Sequence, residues 1–350
     1  MVNLTIDGRP VTVPAGTTVL EAARQIGIDI PNLCYDSRLT TAGACRMCVV
    51  SIEGFRNLAT SCTTKVAEGM VVHTETPEVV EARKMILDLI LANHPQDCLT
   101  CEKTGNCQLQ DYCYRYGVKE TSFVGEKRQL LKDTGNHLIE RDFNKCILCG
   151  KCVRVCAEIQ GTNAVDFVGR GFNTVVDTAF NENLNLDNCR FCGQCIEMCP
   201  TGALTNKQFK GTRPWQVEKV RTTCPFCGTG CNFDLNVRDG KIVGVTTGNP
   251  DGVVNGRALC VKGRFHTDML YSPDRITTPL IKKDGEFVPA TWDEALDLVA
   301  TKFKEIKERD GADALAALSS ARCTNEDNYV MQKFMRAVIG TNSVDHCART

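Results

Sequence analysis

The pattern Cys-x2-Cys-x2-Cys-x3-Cys occurs twice in this chain of 350 residues. The copies are Cys146, Cys149, Cys152 and Cys156 and, 43 residues later, Cys189, Cys192, Cys195 and Cys199, followed by Pro200. This is the bacterial two-cluster iron-sulfur spacing, in which the fourth cysteine of each copy ligates the other cluster. One [4Fe-4S] site therefore takes Cys146, Cys149, Cys152 and Cys199. The other takes Cys189, Cys192, Cys195 and Cys156. The crossing holds the two sites close. Structural zinc needs one set of four ligands and gives no reason for two full copies.

The chain has 22 cysteines against 5 histidines. A disulfide framework is excluded on size, because disulfide-dense chains are small secreted domains that lack a core. The opening residues, MVNLTIDGRPVTVPAG, show no basic stretch followed by an apolar one, so no secretory signal is visible. The longest apolar stretch, Met85 to Ala92, is interrupted by Asp88 and is too short to span a bilayer. A reduced, cytoplasmic setting is expected. A net charge of -1 with 24% charged residues offers no case for nucleic acid or an anionic membrane.

Three further sets complete the pattern. Cys34, Cys45, Cys48 and Cys62 suffice for a [2Fe-2S] cluster, with the small-residue loop Thr41–Ala44 able to aim N–H groups at its sulfurs. Ten residues separate Cys34 from Cys45, where the plant-type spacing has four. His94, Cys98, Cys101 and Cys107 read as a [4Fe-4S] site with one imidazole ligand; Cys113 is an alternative fourth ligand, and a zinc site of three cysteines and one histidine is the rival. Cys224, Cys227, Cys231 and Cys260 can hold another [4Fe-4S] cluster, with Lys262 close behind as a surface lysine or a contact to the cluster and a second cofactor. Cys113, Cys323 and Cys347 are left over.

Around these sets the fold class expected is multidomain α+β. Residues 2–6 and 10–13 alternate about Asp7-Gly8, a hairpin signal. Thr17 or Thr18 caps a helix stopped by Gly27. Pro77 opens a helix whose apolar stripe is Val79, Val80, Ala82, Met85, Ile86, Leu89 and Ile90. A polar connection covers 118–138, and strands are expected at 164–168 and 174–176, with a link at 207–219. Thr291–Glu294 is a capping box opening a helix to about Glu308. Ala314–Leu318 reads as a strand, and Asn325–Ile339 as a helix ended by Gly340, with an exposed apolar face on the two.

The first three modules resemble the N-terminal portion of iron-only hydrogenases and of the large subunit of respiratory complex I. The fourth resembles the cluster domain of molybdenum or tungsten bis-pterin oxidoreductases. The tail, Ser319–Arg322, Asn328–Phe334 and Gly340–Arg349, is similar to the molybdopterin formate dehydrogenases. The resemblance implies a β-grasp [2Fe-2S] ferredoxin at 1–77 and a helical His/Cys cluster module at 78–118. A two-[4Fe-4S] ferredoxin follows at 138–210, a [4Fe-4S] domain at 217–273 and an incomplete molybdopterin domain at 274–350. It implies a molybdenum or tungsten bis-molybdopterin guanine dinucleotide in the whole protein, with Lys262 as electron relay and Arg322 near the cofactor. It implies oxidation of formate to CO2 or the reverse. Electrons would pass along the clusters to a flavin/NAD(P) subunit, a hydrogenase subunit or a ferredoxin. In that family the metal-ligating selenocysteine or cysteine follows the position of Thr350, so an in-frame UGA codon after residue 350 is expected. The alternatives are a complex I-like NADH dehydrogenase component and a stand-alone electron-transfer subunit.

Overall fold

The computed structural model describes residues 1–248 and 251–347, in two compact units, Met1–Val217 and Glu218–Thr350. Ala348, Arg349 and Thr350, the end of the tail motif, lie outside the described residues. Among the described residues no helix is long and apolar enough to cross a membrane.

The first unit opens on the expected hairpin, β1 (Val2–Ile6) and β2 (Arg9–Val13). Asp7 and Gly8 both take positive φ, +48° and +74°, the geometry that lets a two-residue turn follow the strand twist. Thr18 caps α1 (Val19–Gln25), its hydroxyl accepting from the Glu21 N–H at 3.3 Å. Strands β3 (Val49–Ile52), β4 (Ala59–Thr60) and β5 (Met70–His73) complete a sheet ordered β2-β1-β5-β3-β4, with β1 and β5 parallel. Val19, Leu20, Ala22 and Ala23 of α1 pack on Ile6, Val13, Val50 and Val72.

Thr76 and Pro77 start α2 (Pro77–Leu91). Its buried face is Val79, Arg83, Leu87 and Leu91, whereas Met85 and Leu89, expected in the apolar stripe, are exposed. An arginine displaces them because it finds acceptors inside. Arg83 is fully buried and donates to Val49 O, Tyr116 Oη and Glu75 Oε1, each at 2.8 Å. A further helix, α3 (Gln108–Tyr116), was not expected, although Leu109, Tyr112, Cys113 and Tyr116 recur at helical spacing and face the core.

The two-cluster segment is closed by β6 (Ile139–Arg141) pairing antiparallel with β9 (Leu204–Asn206). Between them lie α4 (Lys151–Arg154), a π-helical stretch at Val155–Gln160, β7 (Asp166–Val168), β8 (Val175–Asp177) and α5 (Gln194–Met198). Strand β7 begins later than expected because the Ala164 N–H is committed to Cys156 Sγ at 3.2 Å.

The second unit holds the antiparallel sheet β10 (Glu218–Thr223), β11 (Asn232–Arg238) and β12 (Lys241–Thr246), then α6 (Val261–Phe265) and the hairpin β13 (Leu280–Lys283) and β14 (Glu286–Pro289). Thr291 and Glu294 form the expected capping box of α7 (Trp292–Asp310). Strand β15 (Ala317–Ser319) is shorter than expected, since Ala312–Ala314 turn as a 3-10 helix, and it pairs in parallel with β16 (Val344–His346). Helix α8 (Asn325–Phe334) widens into a π turn at Met335–Ile339, where Gly340 takes φ +89°. Leu318, Tyr329 and Val338 are exposed, 84%, 64% and 60%.

Candidate redox-cluster sites

At the first set, Leu33 N–H donates to Cys45 Sγ at 3.3 Å and Cys45 N–H to Cys34 Sγ at 3.5 Å. The thiols pair. A hydrogen bond from Cys45 holds Cys34 down at about 5, and one from Cys62 holds Cys48 down at about 7. The donors Cys45 and Cys62 are correspondingly pushed up. Three buried thiols and the half-buried Cys45, gathered closely enough to hydrogen-bond in pairs, fit a site completed by cationic iron.

The long Cys34–Cys45 spacing has a structural reason. Its middle is an arm laid on the two-cluster segment. Thr40 N–H donates to Glu158 at 2.7 Å, Arg38 reaches Met198 Sδ at 2.9 Å, and Leu39 packs on Val155 and Met198. Arg154 completes the joint, donating to Cys34 O and Thr40 O at 2.6 Å and to Cys149 O at 3.2 Å. One guanidinium thus ties the backbones of ligand residues from two sets.

At the second set, His94 Nδ1 is buried without a hydrogen-bond partner. Burial, then the Lys145 ammonium, pushes the imidazole down to about 4, leaving it in the neutral form that binds metal. Cys107 caps α3 and is pushed up to about 11 by burial. Cys113 is also pushed up to about 11 by burial and feels Cys107 and Cys98, so it too lies within reach of the set. The orphaned imidazole nitrogen favours His94. His94→Ala is expected to remove this site's four-iron signal and Cys113→Ala to leave it, read by electron paramagnetic resonance (EPR). The opposite pair of results reverses the assignment.

Gly202 presses on the same site. A Cβ there would stand 2.7 Å from Cys101 Sγ and 3.3 Å from Lys145 Cδ. A sulfur held by iron would have no freedom to retreat, so if Cys101 is a ligand Gly202→Ala is expected to cost the chain about four irons. A full complement of iron in that variant contradicts this.

The two repeats fold alike. Leu148 and Gly150 take φ +53° and +69°, and their counterparts Phe191 and Gly193 +50° and +69°. Each loop turns N–H groups inward; the Phe191 N–H lies 3.3 Å from Cys189 Sγ. Cys146, Cys149, Cys152 and Cys199 line one cavity, and Cys156, Cys189, Cys192 and Cys195 line another, with Cys152 at its edge. Cys156 reaches across from the π-helical stretch. Burial raises Cys146, Cys149 (to about 12), Cys152 and Cys195, and neighbouring thiolates add to it. Such a set demands positive charge, which an iron-sulfur cluster's iron would supply. Among the described residues no three His, Cys, Asp or Glu side chains are arranged to hold a single metal ion.

In the second unit Cys224 directly follows β10, its N–H on Cys231 O at 2.7 Å, and Cys260 stands at the N-cap position of α6. Burial raises Cys224 and Cys231, and Cys227 and Cys260 both lie near enough to add to it. Asn325 Nδ2 donates to Gly228 O at 2.8 Å, fixing the Cys227 loop to α8. Lys262 stands in α6, two residues after Cys260. Arg322 is exposed in the turn after β15, its N–H on Ser320 Oγ at 3.0 Å.

Arg154, Lys145, Lys151 and Gly202 were not anticipated. A signal for the lysines was present: each directly precedes a ligand cysteine, Cys146 and Cys152.

Five family models match the chain in order. They are a 2Fe-2S iron-sulfur cluster binding domain (residues 1–77), the NADH-ubiquinone oxidoreductase-G iron-sulfur binding region (83–122) and the ferredoxin-like domain of NADH-quinone oxidoreductase subunit 3 (136–205). A molybdopterin oxidoreductase Fe4S4 domain (217–272) and molybdopterin oxidoreductase itself (275–350) follow. The NADPH-Fe(3+) oxidoreductase subunit alpha of Geobacter sulfurreducens is 44% identical over 100% of this chain and 40% of its own length. A putative formate dehydrogenase of Staphylococcus aureus is 32% identical over 99% of this chain and 39% of its own length. The chain thus spans about two fifths of these curated relatives. A chain of the NAD+-reducing [NiFe]-hydrogenase in the H2-reduced state is 30% identical, with a TM-score of 0.52 over 59% of this chain and 87% of that one.

Proposed function

The chain belongs to the iron-sulfur family of NADH-quinone oxidoreductase G subunits and molybdopterin oxidoreductases, and from that premise we propose that it is the electron-conducting segment of a larger oxidoreductase linked to NAD(P) through a partner subunit. The carrying observation is the stitching of the first unit. Arg154 joins Cys34 to Cys149 by their carbonyls, and Lys145 bonds Asp97 at 2.9 Å while preceding Cys146. The ligand sets of that unit are thereby tied to one another through their backbones and flanking side chains. Clusters, when bound, supply one-electron carriers. The chain's own work is to space them, bury them and turn N–H groups toward their sulfurs. The printed names of the Geobacter relative and of the hydrogenase support the nucleotide link and a hydrogenase partner; a flavin subunit and a ferredoxin are further candidates. The reduced thiols fit a cytoplasmic setting.

The test is redox stoichiometry. The anaerobically reconstituted chain should take up about five electrons, one per centre. Uptake of one or none contradicts the proposal.

A second reading makes the whole protein a formate dehydrogenase. Two complete four-cysteine repeats and the tail Asn342–Arg349 favour it. Under this reading a molybdenum or tungsten pterin supplies the two-electron chemistry, Lys262 lies between it and the Cys224 set, and Arg322 faces it. The 350 residues alone should not reduce dye with formate, and the whole protein should. A whole protein loaded with its pterin that leaves formate untouched removes this reading.

A further inference from the structure

The two repeats share backbone geometry and ligand spacing, yet their surroundings differ in charge. Lys145 and Lys151 precede Cys146 and Cys152 in the first copy. The corresponding positions in the second copy, before Cys189 and Cys195, are Asn188 and Gln194. Both lysines are buried, 4% and 7% exposed, a placement lysine rarely takes without a charged reason.

Lys145 lies between the second set and the central cavity. Its Nζ is 2.9 Å from Asp97 and 3.8 Å from Asp142, and it hydrogen-bonds the Cys101 thiol. Its carbonyl accepts from Thr201 Oγ at 2.8 Å, two residues past Cys199. Lys151, first residue of α4, has the Cys149, Cys199 and Cys34 thiols and the Asp36 carboxylate around it. At the matching place in the second copy, Gln194 donates to Gln160 at 3.2 Å and leaves its Oε1 without a partner. At these matched positions the first copy carries buried lysines and the second neutral amides; Arg141 lines both cavities, and the cation particular to the twin's cavity, Arg190, is exposed to solvent.

We propose that Lys151 is a positioning residue that makes the centre held by Cys146, Cys149, Cys152 and Cys199 easier to reduce than its pseudo-symmetric twin held by Cys189, Cys192, Cys195 and Cys156; the Lys145 ammonium faces Asp97, Asp142 and Cys101 instead. Reduction adds one electron to a centre already ringed by thiolates. A buried cation stabilises that extra charge far more than an amide does, because little water screens it. The asymmetry gives the first unit a sink at its middle, beside both the [2Fe-2S] set and the His94 set.

This inference rests on the reading of the cysteine sets as iron-sulfur sites, and the test separates the two. Iron and sulfide are measured first on the full chain, reconstituted without oxygen. A chain that holds neither fails the underlying reading. EPR-monitored titration with dithionite then follows the two four-iron centres, the twin identified as the signal lost in Cys156→Ala. In the wild type the central centre reduces first. Lys151→Gln is expected to make it at least tenfold harder to reduce, about 59 mV for one electron. The twin and the Cys224 centre should not move, and Lys151→Arg should restore the wild-type value. Wild-type potentials in an iron-replete Lys151→Gln chain, or an equal shift in both twins, overturn the inference. Loss of iron in both Lys151 variants also overturns it, by making the lysine structural.

Discussion

Cys156→Ala empties the four-iron site of the second repeat, although Cys156 belongs to the first. The expected loss is about four of about 18 irons. The reason lies in the fold. The π-helical stretch Val155–Gln160 carries Cys156 into the cavity lined by Cys189, Cys192 and Cys195, while Cys199 completes the cavity of Cys146, Cys149 and Cys152. Pairs of substitutions decide between crossed and local ligation. Two residues of one site should cost no more together than either alone, and residues of separate sites should add. Cys156→Ala with Cys189→Ala should therefore still cost about four irons, and Cys156→Ala with Cys146→Ala about eight. Iron analysis giving the reverse order would mean that each repeat serves itself.

Arg83→Met should be the most damaging substitution away from the ligands. The side chain is fully buried and serves three acceptors from three segments: Val49 O beside Cys48, Tyr116 Oη at the end of α3, and Glu75 ahead of α2. Methionine fills most of the volume but leaves the Val49 carbonyl without its Arg83 donor, whereas the Tyr116 hydroxyl keeps Glu75 at 3.2 Å. An orphaned buried group costs about 1–3 kcal/mol. Glu75 remains half-exposed and keeps Arg115 at 3.0 Å, so its share is small. A loss of about 2 kcal/mol follows, a factor of about 30 in the unfolding equilibrium. The denaturant midpoint for bleaching of the [2Fe-2S] absorbance should fall accordingly. Lysine, which keeps the charge without the planar fork, should recover only part of it. An unchanged midpoint in Arg83→Met would show that the guanidinium is not the clamp between the first two modules.

The sequence was most readable where chemistry or backbone geometry leaves one choice. Asp7-Gly8, Thr18, Pro77 and the Thr291–Glu294 box each act within a few residues, and each sits as expected. The repeat is visible because eight cysteines keep a fixed spacing. Long-range pairing was not readable. Nothing local in Met70–His73 says that it lies between β1 and β3. The stripe expected on α2 holds at Val79, Val80, Ile86 and Ile90 and breaks at Met85 and Leu89, because an arginine with three acceptors takes the inward face between them. Strand β11 left a signal that was passed over: Phe233, Leu235 and Val237 alternate with polar residues. The ten-residue interval after Cys34 looked like a departure from a known spacing, and only its contacts with Glu158, Met198 and Val155 show it to be a docking arm.

The central claim is that these thiols and one imidazole hold five iron-sulfur centres. Elemental and sulfide analysis of the full chain, purified without oxygen, tests it most directly. About 18 irons and about 18 labile sulfides per chain are predicted. Stoichiometric zinc, or cysteines that carry neither metal nor sulfide, would contradict it.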